Sequence, residues 1–546
     1  MAFSKKYRLL VLFAALATLL SAVLDALLIG FIKDIINRGF VEKNQKFLVF
    51  FPIYIFIFFF IRALTGYASE YLVKRSEYSV LQQLREQFSH FLMQLPKTFF
   101  DHRSLGDIQS SFSSRLQLVA EGATRIPLCY MREVLLAVLL VVIMFIESWQ
   151  LSSIALVSMP IVYGLYRYTA NLHRIVSAHV QKDEGAMMQL SGQVFANTEM
   201  IQSYGVVDFF QKKFSQLILS HQRSSLDSAH YAALLSSSLY IVTSIPLAFM
   251  MWWLYRFGVM PSVGSVAAIL IALMRIIHPL RLISELTHLF QKSLVAHDFV
   301  QSMMQVSLPV IKHGSTDQPG LYAEHVSYQI GSEMIIKDIC LHLLPNEKVA
   351  IIGSSGAGKS TLLQLLSCVY QPTFGQIKCG SKVAYVRQDS WLFSASVREN
   401  LLFDHHVNEQ QLMSLLRDLD MFDWINGLPA GIDTVIGQGQ LMMSGGQMQR
   451  LCLARALMRK AEYLLLDEIT SALDRVTEKL VMDVILKSQC AAVLVTHRLN
   501  YLKDYDRVIL MDSGQIIALG HFNELMANSA AFRNFYNRLS SQTNML

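Results

Sequence analysis

The chain has 546 residues, of which 53% are hydrophobic, and it carries a formal net charge of +6 at pH 7. This length predicts more than one domain. The basic excess is too small to indicate nucleic-acid binding, and lysine and arginine residues that flank membrane segments explain it better. The cysteines have no CxxC or metal-binding spacing, so we expect reduced packing residues and neither a disulfide framework nor a metal site. They are Cys129, Cys340, Cys368, Cys379, Cys452 and Cys490.

Long apolar runs fill residues 1–300, whereas the chain from residue 320 onward has the pattern of a water-soluble α/β domain. A helix needs roughly 20 mostly apolar residues to span a hydrocarbon core about 30 Å thick. The segments predicted to span the membrane are 9–32, 47–67, 129–148, 151–170, 234–257 and 260–284. Basic residues precede the first segment, as in a signal peptide, but its apolar run is too long and no small-residue cleavage site ends it.

The basic residues of the loops predict the orientation of these helices. The polar connections 74–125 and 167–223 are rich in lysine and arginine, whereas the turn 147–150 has no basic residue. Because lysine and arginine concentrate on the cytoplasmic side, both termini and both connections are expected in the cytosol. The first outer loop carries basic residues between 33 and 46 and fits this rule poorly. The connections have a helical pattern that predicts membrane helices continuing into the cytosol, with an amphipathic surface helix as the alternative.

A glycine-rich loop at Gly353–Thr361 lies between an apolar strand, Val349–Ile352, and a helical run, Thr361–Leu366. This strand–loop–helix context is typical of phosphate binding, because glycines let the backbone wrap the phosphates and helix-start N–H groups bind the anion. Lys359 is expected to reach the outer phosphates, and the Ser360 hydroxyl to coordinate Mg²⁺. The predicted ATP contacts in the loop are Gly353, Ser354, Ser355, Gly356, Ala357, Gly358, Lys359, Ser360 and Thr361.

Two further strands are predicted to bring catalytic groups to the same edge. The strand Tyr463–Leu466 ends in Asp467 and Glu468. Asp467 suits a Mg²⁺ shell, and Glu468 is placed to polarise a water for in-line attack on the γ-phosphate. Two buried like charges would be costly without a metal, which favours function over packing. A later strand, Ala492–Thr496, delivers His497 as a γ-phosphate contact.

These motifs resemble an ATP-binding cassette across the whole soluble half, in the family's order. They are the phosphate loop at Gly353–Thr361, the Gln388 loop at 386–393, the signature at 443–450, the acidic pair Asp467–Glu468, the turn Ser471–Asp474 and the switch Thr496–Leu499. The resemblance implies that Gln388 joins Ser360 and Asp467 around Mg²⁺. It also implies that ATP lies between the phosphate loop of one chain and the signature of a second. The residues expected to contact ATP of the partner chain are Ser444, Gly445, Gly446, Gln447 and Asp474. A homodimer is the simplest assembly, and a heterodimer with a related half-transporter is the alternative.

The membrane half resembles the type IV exporters, whose subunits each contribute six helices. The stretches that carry this likeness are Gln87–Asp107, which resembles the approach to a first coupling helix, and Met144–Leu151. A second coupling helix is expected near Ala196–Tyr204. The expected fold is therefore an α-helical six-helix transmembrane domain plus an α/β P-loop nucleotide-binding domain. The predicted boundaries are 1–305 for the transmembrane domain, 306–320 for a linker and 321–546 for the cassette.

Within these exporters, the chain most resembles the lipid A-core flippases of Gram-negative inner membranes. The similar stretches are Ile61–Tyr67, Met131–Glu133, Ala272–Arg275 and Pro279–Arg281. The resemblance implies that Arg62, Arg132 and Arg281 hold substrate phosphates in an inner cavity, with His278 where the family has another basic residue. Arginine in a membrane helix is expensive unless it faces protein or water, and guanidinium pairs well with phosphate. The alternatives are snorkelling and internal pairing, of Arg132 with Glu133 or of an arginine with Asp25.

Three positions depart from the cassette pattern. Ile330 stands where an aromatic residue usually stacks on adenine, and strand alternation places Tyr328 on the same face as a possible substitute. Met443 replaces the usual leucine of the signature, which is a mild change. Gln438 replaces an acidic residue in the segment that touches coupling helices, which would weaken coupling electrostatics.

The expected function is an ATP-driven exporter or flippase of the bacterial inner membrane, with ATP and Mg²⁺ as cofactors and a lipid or amphiphile as cargo. An exporter of drugs, peptides or other lipids with the same ATP-hydrolysing cassette is one alternative. A second alternative is a regulator or channel that binds ATP without pumping. The intact Glu468 and His497 argue against that second alternative.

Overall fold

A computed structural model describes residues 5–43, 45–101, 103, 105–257, 262–305, 320–379, 382–403, 405, 407–437 and 443–543. The chain divides into two compact units. A helical unit comprises Met1–Met93 and Gly106–Val306, and an α/β unit comprises Gln94–Leu105 and Ser307–Leu546. Almost all of the expected linker, and Gln438, lie outside the described residues.

Helices account for the first part of the chain. They are α1 (Lys5–Asp34), α2 (Gln45–Gln94), α3 (Lys97–Asp101), α4 (Leu105–Ser110), α5 (Leu116–Ala123), α6 (Arg125–Glu147), α7 (Trp149–Ala196), α8 (Thr198–Ser203), α9 (Val207–Phe257) and α10 (Val263–Met304), with π-helical turns at Ile35–Val41 and Ser111–Arg115. The 50 residues of α2 give it a length of about 75 Å at 1.5 Å per residue. Such a helix is much longer than a bilayer core, which agrees with helices that continue beyond the membrane.

Four described stretches are long and apolar enough to cross a membrane: Leu9–Val41, Val49–Gln94, Gly106–Glu147 and Val263–Met304. They contain the first predicted span and most of the second, third and sixth. The fourth and fifth predicted spans lie within α7 and α9, which are continuous helices through those segments.

Small and aliphatic side chains pack α1, α6 and α10 together. Ala22 and Ala26 of α1, Leu140 of α6, and Ile269 and Ala272 of α10 are buried in one cluster. Small residues let helix backbones approach closely. In lipid there is no hydrophobic driving force between helices, so such close packing is what holds them together.

Polar contacts hold one end of this bundle. The Lys33 ammonium lies 2.9 Å from Glu147, and the Ser265 hydroxyl donates to the same carboxylate at 2.8 Å. The Asn37 side chain accepts from the backbone N–H of Gly264 at 2.9 Å. These bonds tie the ends of α1, α6 and α10 to one another.

The α/β unit is built on short strands. They are β1 (Leu321–Ile330), β2 (Glu333–Leu343), β3 (Lys348–Gly353), β4 (Phe374–Cys379), β5 (Val383–Val386), β6 (Ala395–Ser396), β7 (Val435–Ile436), β8 (Tyr463–Asp467), β9 (Ala491–Val495), β10 (Arg507–Asp512) and β11 (Gln515–Gly520). Its later helices are α11 (Lys359–Leu366), α12 (Val397–Leu402), α13 (Glu409–Asp418), α14 (Phe422–Asn426), α15 (Gly445–Met458), α16 (Arg475–Lys487), α17 (Phe522–Asn528) and α18 (Ala530–Thr543).

The larger sheet has the order β11-β10-β3-β9-β8-β5. All neighbours are parallel except β10 and β11. Strands β3, β8 and β9 are buried along their whole length, which explains the apolar runs that make up most of their sequences. In such sheets ligands bind beyond the carboxyl ends of the strands, so a ligand site is expected at the loops after β3, β5, β8 and β9.

Candidate functional site

The glycine-rich loop follows β3 and begins α11, in agreement with the sequence. A side chain at Gly353 would meet the carbonyl oxygen of Met511 at 2.2 Å, and Gly358 has a left-handed φ of +92°. Both positions therefore require glycine. Lys359 is buried, and its ammonium donates to the carbonyls of Gly353 at 3.0 Å and Ser354 at 2.9 Å. Burial lowers the pKa of this ammonium, against the raising effect of Glu468 and Asp467.

Asp467 ends β8 and faces the start of α11. Its Oδ1 accepts from the Ser360 hydroxyl at 3.0 Å, and its Oδ2 accepts from the Tyr385 hydroxyl at 3.2 Å. Burial raises the pKa of the carboxyl, and the two hydroxyl donors act against that rise. A hydroxyl and a carboxylate in contact are the hard oxygen donors that Mg²⁺ prefers, so the residues present fit this ion.

Glu468 links two other predicted residues. Its Oε1 lies 2.8 Å from Nε2 of His497, and its Oε2 accepts from the Gln388 amide at 2.9 Å. Glu468 itself has a left-handed φ of +49°, an uncommon backbone state for a non-glycine residue. Strained backbone of this kind clusters at functional sites. The structure thus joins Gln388, Glu468 and His497 in one hydrogen-bonded chain.

The parallel sheet explains why these distant residues meet. The loop at Gly353 follows β3, and His497 comes after β9. Asp467 ends β8 with Glu468 directly after it, and Gln388 comes after β5. These four strands are consecutive neighbours in the sheet. Their carboxyl ends therefore form one continuous edge that carries the phosphate loop and its acidic groups.

The signature residues start the helix α15. Ser444 is the N-cap, and it forms a reciprocal capping box with Gln447 at 3.2 and 3.0 Å. A side chain at Gly446 would approach the carbonyl oxygen of Ala472 at 3.1 Å, so glycine keeps this helix start close to the following turn. Helix starts of this kind present N–H donors suited to an anion.

Asp474 has a clear local role. It caps α16 by accepting from the backbone N–H groups of Val476 and Thr477, each at 3.0 Å. The hydrogen bonds from Thr477 lower the pKa of its carboxyl. Gln449 was not found by sequence reasoning: it is buried in α15, and it bonds Ser471 at 3.1 Å and the N–H of Ala472 at 3.3 Å. It connects the signature helix to the Asp474 turn.

The expected adenine-stacking role of Tyr328 is not supported by its surroundings. The pairing of β1 with β2 shifts register between Tyr328 and Gln329, so simple alternation fails there. Tyr328 exposes 7% of its surface, whereas Ile330 exposes 53%. The Tyr328 ring instead packs 5.4 Å from the ring of Tyr370.

Tyr370 also contacts the segment that resembled a coupling helix. Its hydroxyl donates to Asp101 of α3 at 2.7 Å, and the Lys97 ammonium lies 5.1 Å from the ring centre. Burial, together with the hydrogen bond to Asp101, raises the pKa of Tyr370 to about 12. These contacts account for the grouping of Gln94–Leu105 with the α/β unit.

Two of the three nominated membrane arginines meet at one carboxylate. Arg62 donates to Oδ1 of Asp25 at 2.6 Å, and Arg132 lies 3.0 Å from Oδ2. Arg132 also pairs with Glu133 at 2.8 Å. Asp25 is buried, and it draws together side chains from α1, α2 and α6.

The third arginine at Asp25 is Arg275, which belongs to the flippase-like stretch Ala272–Arg275 but is not one of the predicted substrate residues. It donates to the Asp25 carbonyl oxygen at 3.3 Å and lies 3.9 Å from Oδ1. Arg281 lies six residues further along α10, where it pairs with Glu285 at 2.9 Å and both side chains are exposed. Arg275 and Arg281 both lie on α10 in similar stretches of sequence. Only the packing of α10 shows which of the two contacts Asp25.

A cavity of about 340 Å³ adjoins this cluster in the helical unit. Basic side chains outnumber acidic ones along its wall. The charged residues that line it are Arg62, Lys74, Arg125 and Arg132 against Asp25 and Glu70. The cavity is therefore suited to an anionic group.

Two protein families match successive parts of the chain. Residues 11–278 match the ABC transporter transmembrane region, and residues 336–471 match the ABC transporter domain. Together with the architecture, these matches confirm the predicted fold class of a helical transmembrane domain and an α/β nucleotide-binding domain.

Similar curated proteins span nearly the whole chain. A Coxiella burnetii protein is 26% identical over 98% of this chain and 94% of its own length. Proteins from Pectobacterium atrosepticum and Vibrio cholerae are each 25% identical over 95% of this chain and 93% of their own lengths. All three are named ATP-dependent lipid A-core flippase.

A solved structure has the same fold. It is that of a bacterial Atm1-family ABC exporter with ATP bound, with a TM-score of 0.82 at 20% identity, covering 97% of this chain and 98% of that one.

Proposed function

Because this chain belongs to the ABC transporter family, with an exporter-type fold and an ATPase domain, we propose that it flips a phosphate-bearing lipid-linked amphiphile across a bacterial inner membrane. The proposed cargo is lipid A-core-like and moves from the inner to the outer leaflet. The observation that carries this cargo class is the convergence of Arg62 and Arg132 beside a basic cavity. The names of the similar proteins support the same cargo class.

Glu468 is proposed as the general base of ATP hydrolysis. A water oxygen attacks the γ-phosphorus, its proton passes to Glu468, and the bond to the ADP oxygen breaks. His497 and Gln388 hold the two carboxylate oxygens at 2.8 and 2.9 Å, which fixes the direction of the carboxylate. Lys359 donates to the loop carbonyl of Gly353 at 3.0 Å, and it is proposed to pair with the outer phosphates when ATP binds.

Mg²⁺ is the proposed metal, and Ser360 and Asp467 would hold it, with Gln388 at the same edge. When bound, the ion neutralises charge on the phosphate oxygens. Asp467 is kept in place for this role by Ser360 and Tyr385.

The working unit is proposed to be a dimer, with a homodimer as the simplest form. The fold is that of a half-transporter with one phosphate loop and one signature helix. ATP would lie between the loop of one chain and Ser444–Gln447 of the other, with Asp474 of the other chain beside it. Both termini and the nucleotide-binding domain are proposed to be cytoplasmic, from the distribution of basic residues.

Reconstitution in nanodiscs tests the cargo. ATPase activity is measured with added lipid A, with plain phospholipid and with cationic drugs. We expect lipid A to stimulate most, and Arg62→Ala and Arg132→Ala each to raise the half-stimulating lipid A concentration about 10-fold or more. That factor follows from a charge-assisted hydrogen bond worth about 1.5–3 kcal/mol, at 1.4 kcal/mol per factor of ten.

Matched variants separate the effects on ATP hydrolysis from the effects on cargo binding. Arg275→Ala and Arg281→Ala compare two arginines of α10, only one of which is at Asp25, so a larger effect at Arg275 is expected. Glu468→Gln should remove turnover, by about 10²–10⁴-fold for a general base, while ATP binding is kept. Unchanged lipid A response in Arg62→Ala and Arg132→Ala would reject the cargo class. Retained turnover in Glu468→Gln would reject the base.

A further inference from the structure

We propose that His325, Asp338 and Cys340 form a binding site for a divalent transition-metal ion of the zinc class, separate from the nucleotide site. Their ligand atoms all lie within 4.8 Å of one another. Sequence spacing could not show this, because His325 is on β1 and the other two are on β2.

The strand pairing brings the three side chains together. Val326 pairs with Ile339 in the antiparallel ladder, and the register shifts between Ala323 and Val326, so His325 lies at an irregularity of β1 beside β2. The backbone N–H of His325 donates to Sγ of Cys340 at 3.4 Å. Nδ1 of His325 lies 2.7 Å from Oδ1 of Asp338. An imidazole, a carboxylate and a thiol thus face one point from two adjacent strands.

The backbone that carries these groups is held firmly. The N–H of Asp338 donates to the hydroxyl of Ser327 at 2.9 Å, and Ser327 is buried. A side chain at Gly375 on β4 would meet the His325 carbonyl oxygen at 2.2 Å, so β4 lies close beside β1 in the same sheet at this point. Ligands on paired strands are more precisely placed than ligands on loops.

The donor set identifies the metal class. Zn²⁺ binds thiolate at about 2.3 Å, imidazole at about 2.0 Å and carboxylate at about 2.1 Å, which puts tetrahedral ligand atoms about 3.3–3.6 Å apart. Small rotations of exposed side chains bring atoms within 4.8 Å to that spacing. The thiolate and the carboxylate balance a dication, and a soft sulfur ligand favours zinc-class ions over Mg²⁺. Three protein ligands leave a fourth position to water.

Metal binding changes the protonation of two groups. Cys340 binds as the thiolate, so the ion displaces the thiol proton. Nδ1 of His325 must offer its lone pair, so the ring takes the tautomer protonated at Nε2. The hydrogen bond to Asp338 is then replaced by two bonds to the same ion. The neighbouring Glu324 is engaged by Lys378 at 2.8 Å and is not part of the ligand set.

Cobalt titration of the full-length chain in detergent, without a polyhistidine tag, tests the site. Co²⁺ bound to a thiolate gives a sulfur-to-cobalt absorption band, which oxygen ligands at the nucleotide site do not give. We expect one such band per chain, lost on addition of Zn²⁺. Cys340→Ser should remove the band. His325→Ala should weaken cobalt binding at least about 10–100-fold, because that is the loss caused by removing even a residue that only hydrogen-bonds to a metal ligand.

His342→Ala is the matched control. His342 is an exposed histidine two residues after Cys340 on β2, and its ring stacks on Tyr322 at 4.1 Å. This variant should bind cobalt like the parent chain. A band of full size in Cys340→Ser would mean that other cysteines bind the ion and would overturn the proposal. So would the absence of a band in the parent chain, or unchanged affinity in His325→Ala, and the three residues would then be a surface hydrogen-bonded cluster only.

Discussion

Two buried aspartates illustrate how this chain keeps charge inside its fold. Asp467 is held by two hydroxyl groups, whereas Asp25 is held by guanidinium groups. Hydroxyls satisfy hydrogen bonds without supplying opposite charge, so Asp467 remains ready for a cation. Guanidinium groups supply that charge, so Asp25 competes with any anion that approaches the same arginines.

The raised pKa of Asp467 predicts a stability gain for Asp467→Asn. A carboxyl whose pKa is higher in the folded chain favours folding at low pH, and that contribution is lost as pH rises through the folded-state pKa. At neutral pH the buried charge therefore destabilises the nucleotide-free fold. Asp467→Asn should raise the thermal unfolding midpoint at neutral pH, and the gain should shrink as the pH is lowered.

Thermal unfolding without nucleotide, measured over a series of pH values, checks this sign. Asp474→Asn is the matched control, because the hydrogen bonds from Thr477 lower the pKa of that exposed carboxyl. It should give no gain at neutral pH. A gain in Asp467→Asn that is the same at every pH would contradict the argument.

Asp25→Asn is predicted to separate the contribution of the arginine cluster to fold stability from its contribution to cargo binding. Without the carboxylate, Arg62 and Arg132 lose their shared counterion, so the unfolding midpoint should fall in the absence of cargo. In this variant an anionic amphiphile can replace the missing carboxylate beside the two arginines. Its addition should therefore raise the unfolding midpoint more than it does in the parent chain. Thermal unfolding with and without lipid A measures both effects, and an equal ligand-induced rise in the two chains would show that Asp25 and the lipid do not compete.

Sequence reasoning was strongest where chemistry fixes residue type. Lys359, Ser360, Asp467 and Glu468 were nominated for roles that the spacing of strands and loops dictates, and the structure places them on one edge. It was weakest where tertiary packing determines which side chain is buried or which residue contacts the site. The register shift that buries Tyr328 leaves no mark in the sequence, and Tyr385 beside Asp467 looks like any strand tyrosine.

At the scale of elements, α3 is the segment whose surroundings matter most. It is five residues long, yet Asp101 at its end accepts a hydrogen bond from the Tyr370 hydroxyl. Tyr370 lies four residues after α11, the helix that begins at the phosphate loop, and its ring touches Tyr328 of β1. The resemblance of 87–107 to a coupling helix located this element, but only the structure shows which cassette residue it contacts.

Tyr370→Phe is predicted to weaken coupling without stopping hydrolysis. The pKa of about 12 keeps the hydroxyl protonated, so it remains a donor to Asp101 over the working pH range. A double-mutant cycle of Tyr370→Phe with Asp101→Asn should give an interaction energy of about 0.5–1.5 kcal/mol, since Asp101 is exposed.

The functional readout is the ratio of lipid-stimulated to basal ATPase activity. It should fall in both single variants and fall no further in the double variant, while basal activity persists. Additive losses would mean that the two side chains act separately.

At the scale of the whole molecule, the proposed shared site can be tested by mixing chains with two different tags. When Lys359→Ala is on one chain and Ser444→Arg is on the other, both changes fall in the same composite site, and the second site stays intact. When one chain carries both changes and its partner carries none, each site contains one change. Purified mixed dimers should trap one nucleotide per dimer in the first arrangement and much less in the second. Equal trapping in both arrangements would exclude a site shared between chains.

The great length of α2 has a mechanical consequence. A rigid rod about 75 Å long converts a small angular change at one end into a large displacement at the other. A tilt of about 5° moves the far end by about 6.5 Å, more than one helical turn. A small tilt imposed at one end of α2 is therefore enough, through leverage alone, to change the packing around its other end.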